Sequence, residues 1–186
     1  QPDWASLSSD QTYAVTSEWG NPMIRKVTLS TNQVITLVGQ ATSGLANGIG
    51  TNVQFKDVAA VALSIDNSYA LVSEYSNYLI RKVIMSTLVV STFVGSGSTG
   101  SANGIGTNAQ LGGPTCVGFS SDGTYALISD YVPSIRKLII STQQVTLIAG
   151  GGAGASNGVG SNAQFTTPYG VAISPDSIYA LVSDRG

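Results

Sequence analysis

The sequence predicts an all-β protein built from a repeated unit of about 56 residues. A tyrosine phrase occurs four times, and an arginine phrase and a glycine phrase occur three times each. The phrases begin at Tyr13, Tyr69, Tyr125 and Tyr179 (YAVTSE, YALVSE, YALISD, YALVSD), at Ile24, Ile80 and Ile135 (IRKVTLST, IRKVIMST, IRKLIIST), and at Asn47, Asn103 and Asn157 (Asn-Gly-x-Gly). Because three independent phrases share one spacing, the chain reads as a single segment, 1–186. Its units are 1–55, 56–111, 112–165 and a partial 166–186.

Each unit reads as four short strands in order. The first strand is typified by GVAIS at 170–174, in which the apolar side chains of Val171 and Ile173 alternate with smaller residues. A turn with an aspartate three residues before each tyrosine leads into the second strand, the tyrosine phrase. The arginine phrase is the third strand, and a β-branched run such as VTLIAG at 145–150 is the fourth. No window has a sustained helical period, so no helix is expected between the strands.

A four-stranded unit repeated at a strict spacing is typical of a β-propeller blade. Each small sheet has apolar faces that it cannot bury alone, and stacking the sheets around an axis covers them. The small residues Ala70, Ala126 and Ala180 of the second strands suit close packing between sheets. The predicted fold is therefore an all-β propeller of four-stranded antiparallel blades, about 3.3 of which lie in this chain.

The consensus of the units is AQF…P.GVA……YALVSD…N..IRKV…..V.TL.G…G.ANG.G.NAQF, and it spans essentially the whole chain. It is clearest from Phe55 to Val94 and from Gln164 to Asp184. This pattern resembles the longer repeat of the NHL-repeat β-propellers. Two departures are Asn-Gly where that family usually has Asp-Gly, and QPDWASLS in the first unit where PYGVAIS is expected. The resemblance implies a propeller fold but leaves function open, since such propellers serve as binding scaffolds, enzyme parts and extracellular modules.

The glycine phrase has two interpretations, a phosphate-binding loop or a structural joint. GSGSTG at 95–100 has the spacing of a dinucleotide fingerprint, but no helix-forming stretch follows it, as that fingerprint requires. We therefore predict a joint between one unit's fourth strand and the next unit's first strand. Its glycines would supply positive φ angles, and an apolar residue would anchor its end in the core. The glycines are Gly48, Gly50, Gly104, Gly106, Gly158 and Gly160, and the anchors are Phe55, Leu111 and Phe165.

Composition excludes several function classes. The net charge is −2 and only 10% of residues are charged, without a basic patch, so no nucleic-acid partner is expected. No apolar run is long enough to span a membrane. The chain has no histidine, so a Ser-His-Asp or Cys-His catalytic site cannot be built from it. The single cysteine, Cys116, lies in a strand-like run and is expected to be buried. We predict no enzyme activity and no cofactor.

Acidic residues end the second strands and arginines open the third strands. We predict structural acid–arginine pairs between these hairpin neighbours: Glu18 with Arg25, Glu74 with Arg81, and Asp130 with Arg136. The alternative is a ring of carboxylates, completed by Asp184, that binds a cation or a polar ligand. The aromatic residues that follow the acids, Trp19, Tyr75 and Tyr131, are candidate contacts for a carbohydrate or protein on one loop face, with capping of the blade as the alternative.

The fourth unit stops after its second strand, whereas closed propellers have four to eight blades. Three arrangements are therefore expected: a piece of a longer propeller, a ring closed with a second copy, or head-to-tail addition of copies into a filament. The partners in these arrangements are further blades or copies of the chain.

The expected function is that of a non-catalytic structural or interaction module. The charge-poor surface, rich in Ser, Thr, Asn and Gly, favours an extracellular or cell-surface protein. The alternatives are a soluble propeller that binds protein or glycan, and part of a propeller hydrolase or lactonase whose active site lies in other blades.

Overall fold

The structure is a computed structural model that describes residues 2–186. In that part of the chain sixteen strands, β1–β16, form four antiparallel sheets, and the helical segments are three short 3-10 turns at Gly50–Asn52, Gly106–Asn108 and Gly160–Asn162. The predicted all-β class and the antiparallel sheets of the repeat are confirmed. None of the four sheets formed by residues 2–186 closes on itself.

The four sheets follow one another along the chain. Sheet 1 contains β1 (Pro2–Leu7), β2 (Tyr13–Glu18), β3 (Asn21–Thr28) and β4 (Gln33–Gly39). Sheet 2 contains β5 (Gly48–Ile49), β6 (Val58–Leu63), β7 (Tyr69–Glu74), β8 (Leu79–Ile84) and β9 (Val89–Val94). Sheet 3 contains β10 (Gly104–Ile105), β11 (Pro114–Phe119), β12 (Tyr125–Asp130), β13 (Ser134–Ile139) and β14 (Gln144–Ala149). Sheet 4 contains β15 (Pro168–Ile173) and β16 (Ala180–Asp184).

The turn between the first two strands of each sheet is built around its aspartate. In sheet 2 the Asp66 carboxylate accepts hydrogen bonds from the Ser64 hydroxyl at 2.7 Å and from the Ser68 backbone N–H at 3.1 Å and its hydroxyl at 2.8 Å. These hydrogen bonds, the one from Ser64 first, lower the pKa of Asp66 to about 2. Asp10, Asp122 and Asp176 occupy the same position in the other sheets. The aspartate thus fixes the turn by local side-chain-to-backbone bonding.

The sheets stack in order, with the first strands β1, β6, β11 and β15 in successive contact. One apolar cluster fills each interface between neighbouring sheets. Representative buried members are Val15, Phe55 and Val61 between sheets 1 and 2, Leu71, Leu111 and Ile128 between sheets 2 and 3, and Cys116, Leu127 and Val171 between sheets 3 and 4. Burial of these faces is the main driving force for the stack.

The glycine phrase does more than join two sheets. Gly48–Ile49 leaves sheet 1 and pairs with β9, so it becomes the outermost strand of sheet 2. Gly104–Ile105 pairs with β14 of sheet 3 in the same way. The sequence did not predict this fifth strand. Phe55 and Leu111 then bury fully in the core, and Phe165 packs against the third cluster.

The expectation of positive φ was wrong for half of these glycines. The second glycine of each phrase does have positive φ, for example 59° at Gly50. The first one does not, because it belongs to an extended strand or its equivalent. At Gly104 a glycine is required for another reason, since a Cβ would lie 2.7 Å from the Ala109 backbone nitrogen. The correction concerns Gly48, Gly104 and Gly158.

Candidate functional site

Three aromatic side chains form a continuous strip across sheets 1 to 3. Trp19, Tyr75 and Tyr131 each follow the acid that ends the second strand of a sheet. The rings of Trp19 and Tyr75 meet edge to face with centroids 5.4 Å apart, and those of Tyr75 and Tyr131 do so at 5.5 Å. Edge-to-face contacts hold neighbouring rings in a fixed arrangement. The repeat therefore builds one aromatic surface from three separate sheets.

This aromatic strip lines a groove of about 560 Å³. Trp19 and Tyr131 are 43% and 49% exposed, whereas Tyr75 between them is half-buried, and its desolvation raises its pKa. The residues that line the groove are Asp3, Trp19, Tyr75, Thr115, Tyr131, Thr167, Tyr169 and Arg185. The groove thus offers apolar ring surface together with hydroxyl, carboxylate and guanidinium groups.

Arg185 and Tyr169 continue the groove onto sheet 4. The guanidinium carbon of Arg185 lies 3.3 Å from the ring centroid of Tyr169, a cation–π contact. Arg185 also follows the acid of its second strand, so it occupies the position of the three strip residues. The fourth unit therefore replaces an aromatic ring by a cation at one end of the groove.

Sequence reasoning missed five of the groove residues, although the repeat carried a signal for them. Arg185 could have been found by extending the strip position into the fourth unit. Another shared position is the second residue of the first strand, which is Asp3 in β1, Thr115 in β11 and Tyr169 in β15. The residues differ in chemistry from unit to unit, so only superposing the units shows that they are equivalent. Thr167 lies two residues before Tyr169.

The three predicted acid–arginine pairs are within ion-pair distance, in different environments. Glu74 and Arg81 are 2.8 Å apart, and both are fully buried. Asp130 and Arg136 are also fully buried, at 4.0 Å. The third pair, Glu18 with Arg25 in sheet 1, is 3.3 Å apart and has the arginine side chain 38% exposed.

The arginines of sheets 2 and 3 are buried because a glycine phrase covers them. Arg81 donates to the Asn47 side-chain oxygen at 2.5 Å, and Arg136 donates to the Asn103 side-chain oxygen at 2.9 Å. In each case the asparagine belongs to the unit before the arginine's own. Each contact holds the loop before an outermost strand against the third strand of the sheet that this outermost strand joins. Among residues 2–186, no asparagine loop lies against Arg25.

Burial raises the pKa of the two buried carboxylates, which disfavours their charged form. Desolvation raises the pKa of Glu74, opposed chiefly by the attraction of Arg81. Desolvation also raises the pKa of Asp130 to about 6, opposed chiefly by the hydrogen bond from the Gly112 N–H. In both cases loss of water outweighs the nearby positive charge. Both acids are fully buried and neither lines the groove, so their role is structural.

Other candidate chemistry finds little support in the described part of the chain. Between residues 2 and 186 no three acidic or cysteine side chains come together in a way that could hold a metal ion. In the same range no helix is long and apolar enough to cross a membrane. Cys116 is fully buried, and desolvation raises its pKa to about 11, so it is not positioned to act as a thiolate.

No known family pattern and no curated protein sequence matches the chain. A protein of unknown function from Bacteroides thetaiotaomicron superposes on 98% of this chain with a TM-score of 0.78 and 19% identity. Auxiliary nutrient-binding proteins from Bacteroides ovatus and Bacteroides thetaiotaomicron give TM-scores of 0.73 and 0.74 at 16% and 15% identity, over 98% and 100% of this chain. The chain spans 44%, 45% and 46% of the lengths of these three proteins. At such identities the likeness is one of fold, and the chain shares with them its stack of antiparallel sheets.

Proposed function

We propose that this chain is a segment of a β-propeller of the NHL-repeat type and acts as a non-catalytic binding module. Strict sequence repetition, successive contact of the four first strands and similarity to larger proteins of the same fold support the propeller. In this arrangement the four sheets are consecutive blades. The residue after each second strand then faces the same end of the propeller, where the groove lies.

The ligand we propose is a glycan, and the aromatic strip that lines the groove is the observation that carries this. A volume of about 560 Å³ is that of a small-ligand site, whereas protein partners usually occupy flatter and larger surfaces. The ring surfaces of Trp19 and Tyr131 suit the apolar C–H faces of sugars. The hydroxyl of Tyr169 and the carboxylate of Asp3 supply hydrogen-bonding groups for sugar hydroxyls.

The proposed location is extracellular or at the cell surface. A chain with 10% charged residues and many neutral polar ones is compatible with contact with glycans outside the cell. Two of the structures with this fold are described as nutrient-binding proteins, which supports binding as the function of the fold without identifying the ligand.

A glycan array followed by calorimetry on the best oligosaccharide tests this proposal. Trp19→Ala and Tyr131→Ala each should weaken binding about ten-fold, because each removes one exposed ring of the groove. Tyr179→Ala is the control: it removes an exposed aromatic ring that lies outside the groove, and it should bind like the wild type. Absence of binding to any saccharide, or equal loss in all three variants, would contradict the proposal.

A further inference from the structure

The edge of sheet 4 differs from the equivalent edges of sheets 2 and 3. There β7 pairs with β8 and β12 pairs with β13, whereas within residues 2–186 β16 pairs only with β15. The exposure of the leucine in the second strand differs accordingly. Leu71 and Leu127 are buried in β7 and β12, but Leu181 of β16 is 68% exposed.

The tyrosine at the start of the strand shows the same change. Tyr69 and Tyr125 are half-buried, and each has the lysine of the adjacent third strand over its ring, Lys82 at 4.1 Å and Lys137 at 4.2 Å. Tyr179 is exposed, and no such cation lies over it among residues 2–186. The exposed surface of sheet 4 therefore has the shape and chemistry of a surface that a third strand covers elsewhere.

The acid of sheet 4 is already held in the position that pairs with an arginine. The Asp184 carboxylate accepts hydrogen bonds from the backbone N–H of Thr166 at 2.9 Å and of Thr167 at 2.6 Å. Asp130 accepts the equivalent bond from Gly112 at 2.9 Å. Asp130 also faces Arg136, whereas in the described range 2–186 no arginine or lysine lies within ion-pair distance of Asp184.

The third glycine phrase, 155–164, repeats the loop hydrogen bond and the 3-10 turn of the other two phrases. Its Gln164 N–H donates to the Ser156 carbonyl at 3.0 Å, as the Gln110 N–H does to the Ala102 carbonyl at 3.0 Å. Its 3-10 turn also repeats. Yet Val159 is 87% exposed, and Gly158–Val159 pairs with no strand among residues 2–186.

We propose that this edge is a docking site for a β-hairpin of the repeat's own third-and-fourth-strand type, with an Ile-Arg-Lys third strand. The hairpin pairs with β16 as β13 pairs with β12, and its fourth strand receives Gly158–Val159 as β14 receives Gly104–Ile105. Its arginine lies between the Asp184 carboxylate and the Asn157 side chain, in the place of Arg136. The partner is thus specified by two hydrogen-bonding groups and a sheet edge, the mode of β-strand addition.

A synthetic peptide of residues 131–150, which contains β13 and β14, is the probe. We expect the labelled peptide to bind the protein in fluorescence anisotropy. The Arg136→Gln peptide should bind at least about ten-fold more weakly. Hydrogen exchange should show new protection at Ala180–Asp184 in the complex and no change at β11. Equal binding of the two peptides would overturn the proposal.

Variants of the protein test the two groups that specify the arginine. Asp184→Asn and Asn157→Ala should each reduce the preference for the arginine peptide over the glutamine peptide. Ser156→Ala, next to Asn157 but with an exposed side chain, is the matched control and should keep the full preference.

A fusion covers the case in which the free peptide does not fold into a hairpin. Residues 131–150 appended after Gly186 act at a high effective concentration. The fused chain should have a higher unfolding midpoint than the parent, and Arg136→Gln in the appended copy should remove most of the gain. A fusion no more stable than its parent, or one insensitive to that substitution, speaks against docking at this edge.

Discussion

Arg81 and Glu74 form a 2.8 Å ion pair with neither side chain exposed to water. The equivalent pair of sheet 1, Arg25 with Glu18, is 3.3 Å apart, and both of its side chains are partly exposed. The difference is the asparagine loop that covers Arg81. The same acid–arginine pair thus occurs at one hairpin position with a covering loop in sheet 2 and without one in sheet 1. The effect of burial on the pair can therefore be measured directly.

Alanine at the two arginines should give different losses of stability. Arg81→Ala leaves the buried Glu74 without its partner and should lower the free energy of unfolding by about 3–5 kcal/mol. Arg25→Ala removes a partly exposed pair and should lower it by less than about 1 kcal/mol. Urea unfolding followed by tryptophan fluorescence measures both. Equal losses would mean that the loop contributes nothing to the pair.

Stability should pass through a maximum at mildly acidic pH. The raised pKa of Asp130, about 6, means that the folded state binds a proton more tightly than the unfolded state. The stability that this proton contributes is fully present below about pH 4 and is lost as the pH rises through about 6. The turn aspartates have the opposite effect on stability. Because the pKa of Asp66 is lowered to about 2, its ionised form stabilises the folded state above about pH 4, and this stabilisation is lost as the pH falls from about 4 towards 2.

Denaturant unfolding at a series of pH values checks this expectation. The free energy of unfolding should be greater near pH 4.5 than at pH 7, and Asp130→Asn should make that difference smaller because it removes the titrating group. Stability that rises steadily from pH 4.5 to 7, or an unchanged difference in the variant, would show that Asp130 does not titrate as inferred.

Two neighbouring glycines should tolerate alanine to different degrees. Gly50 has a φ of 59° with open space around its Cα, so Gly50→Ala should cost about 1–2 kcal/mol from backbone strain alone. Gly48 has ordinary extended geometry, and an added Cβ would meet its nearest neighbour at 3.5 Å, so Gly48→Ala should be close to neutral. Thermal unfolding midpoints distinguish them. Gly50→Asn, which tolerates positive φ better, should recover part of the loss.

The only cysteine should report on unfolding of the interface between sheets 3 and 4. Cys116 is buried there, and burial raises its pKa to about 11, which lowers its thiolate fraction at pH 8 far below that of an exposed cysteine. Alkylation by iodoacetamide at pH 8 should therefore be very slow in the native protein and complete in urea. Fast labelling under native conditions would indicate that these two sheets separate readily.

The sequence was sufficient for the all-β class and the antiparallel hairpins because the determinants of the strands are local and repeat. Alternating apolar residues, the turn aspartate and the tyrosine phrase recur at one spacing, and each acts within its own hairpin. The acid–arginine pairs were predictable for the same reason, since Glu74 and Arg81 face each other across a single turn.

What the sequence did not show depends on contacts between units. The link from Asn47 to Arg81 spans 34 residues and needs the next sheet in place before the two side chains can meet. The groove likewise collects Asp3, Thr115 and Tyr169 from different sheets, where they share a position but not a residue type. Spacing predicts which positions are equivalent, and only packing shows which equivalent positions share one surface.

The pairing of Gly48–Ile49 with β9 has a consequence for how such a chain can be cut and rejoined. The second unit of the sequence repeat runs from 56 to 111, but the sheet that it forms runs from Gly48 to Val94. The boundaries of the sequence unit and of the sheet therefore differ at both ends. A unit duplicated or transplanted in the sequence frame would carry its neighbour's outer strand and leave its own behind. A building block for shorter or longer versions of this protein is therefore the segment 47–94, which keeps Asn47 with Arg81 and has its joins in the preceding and following loops.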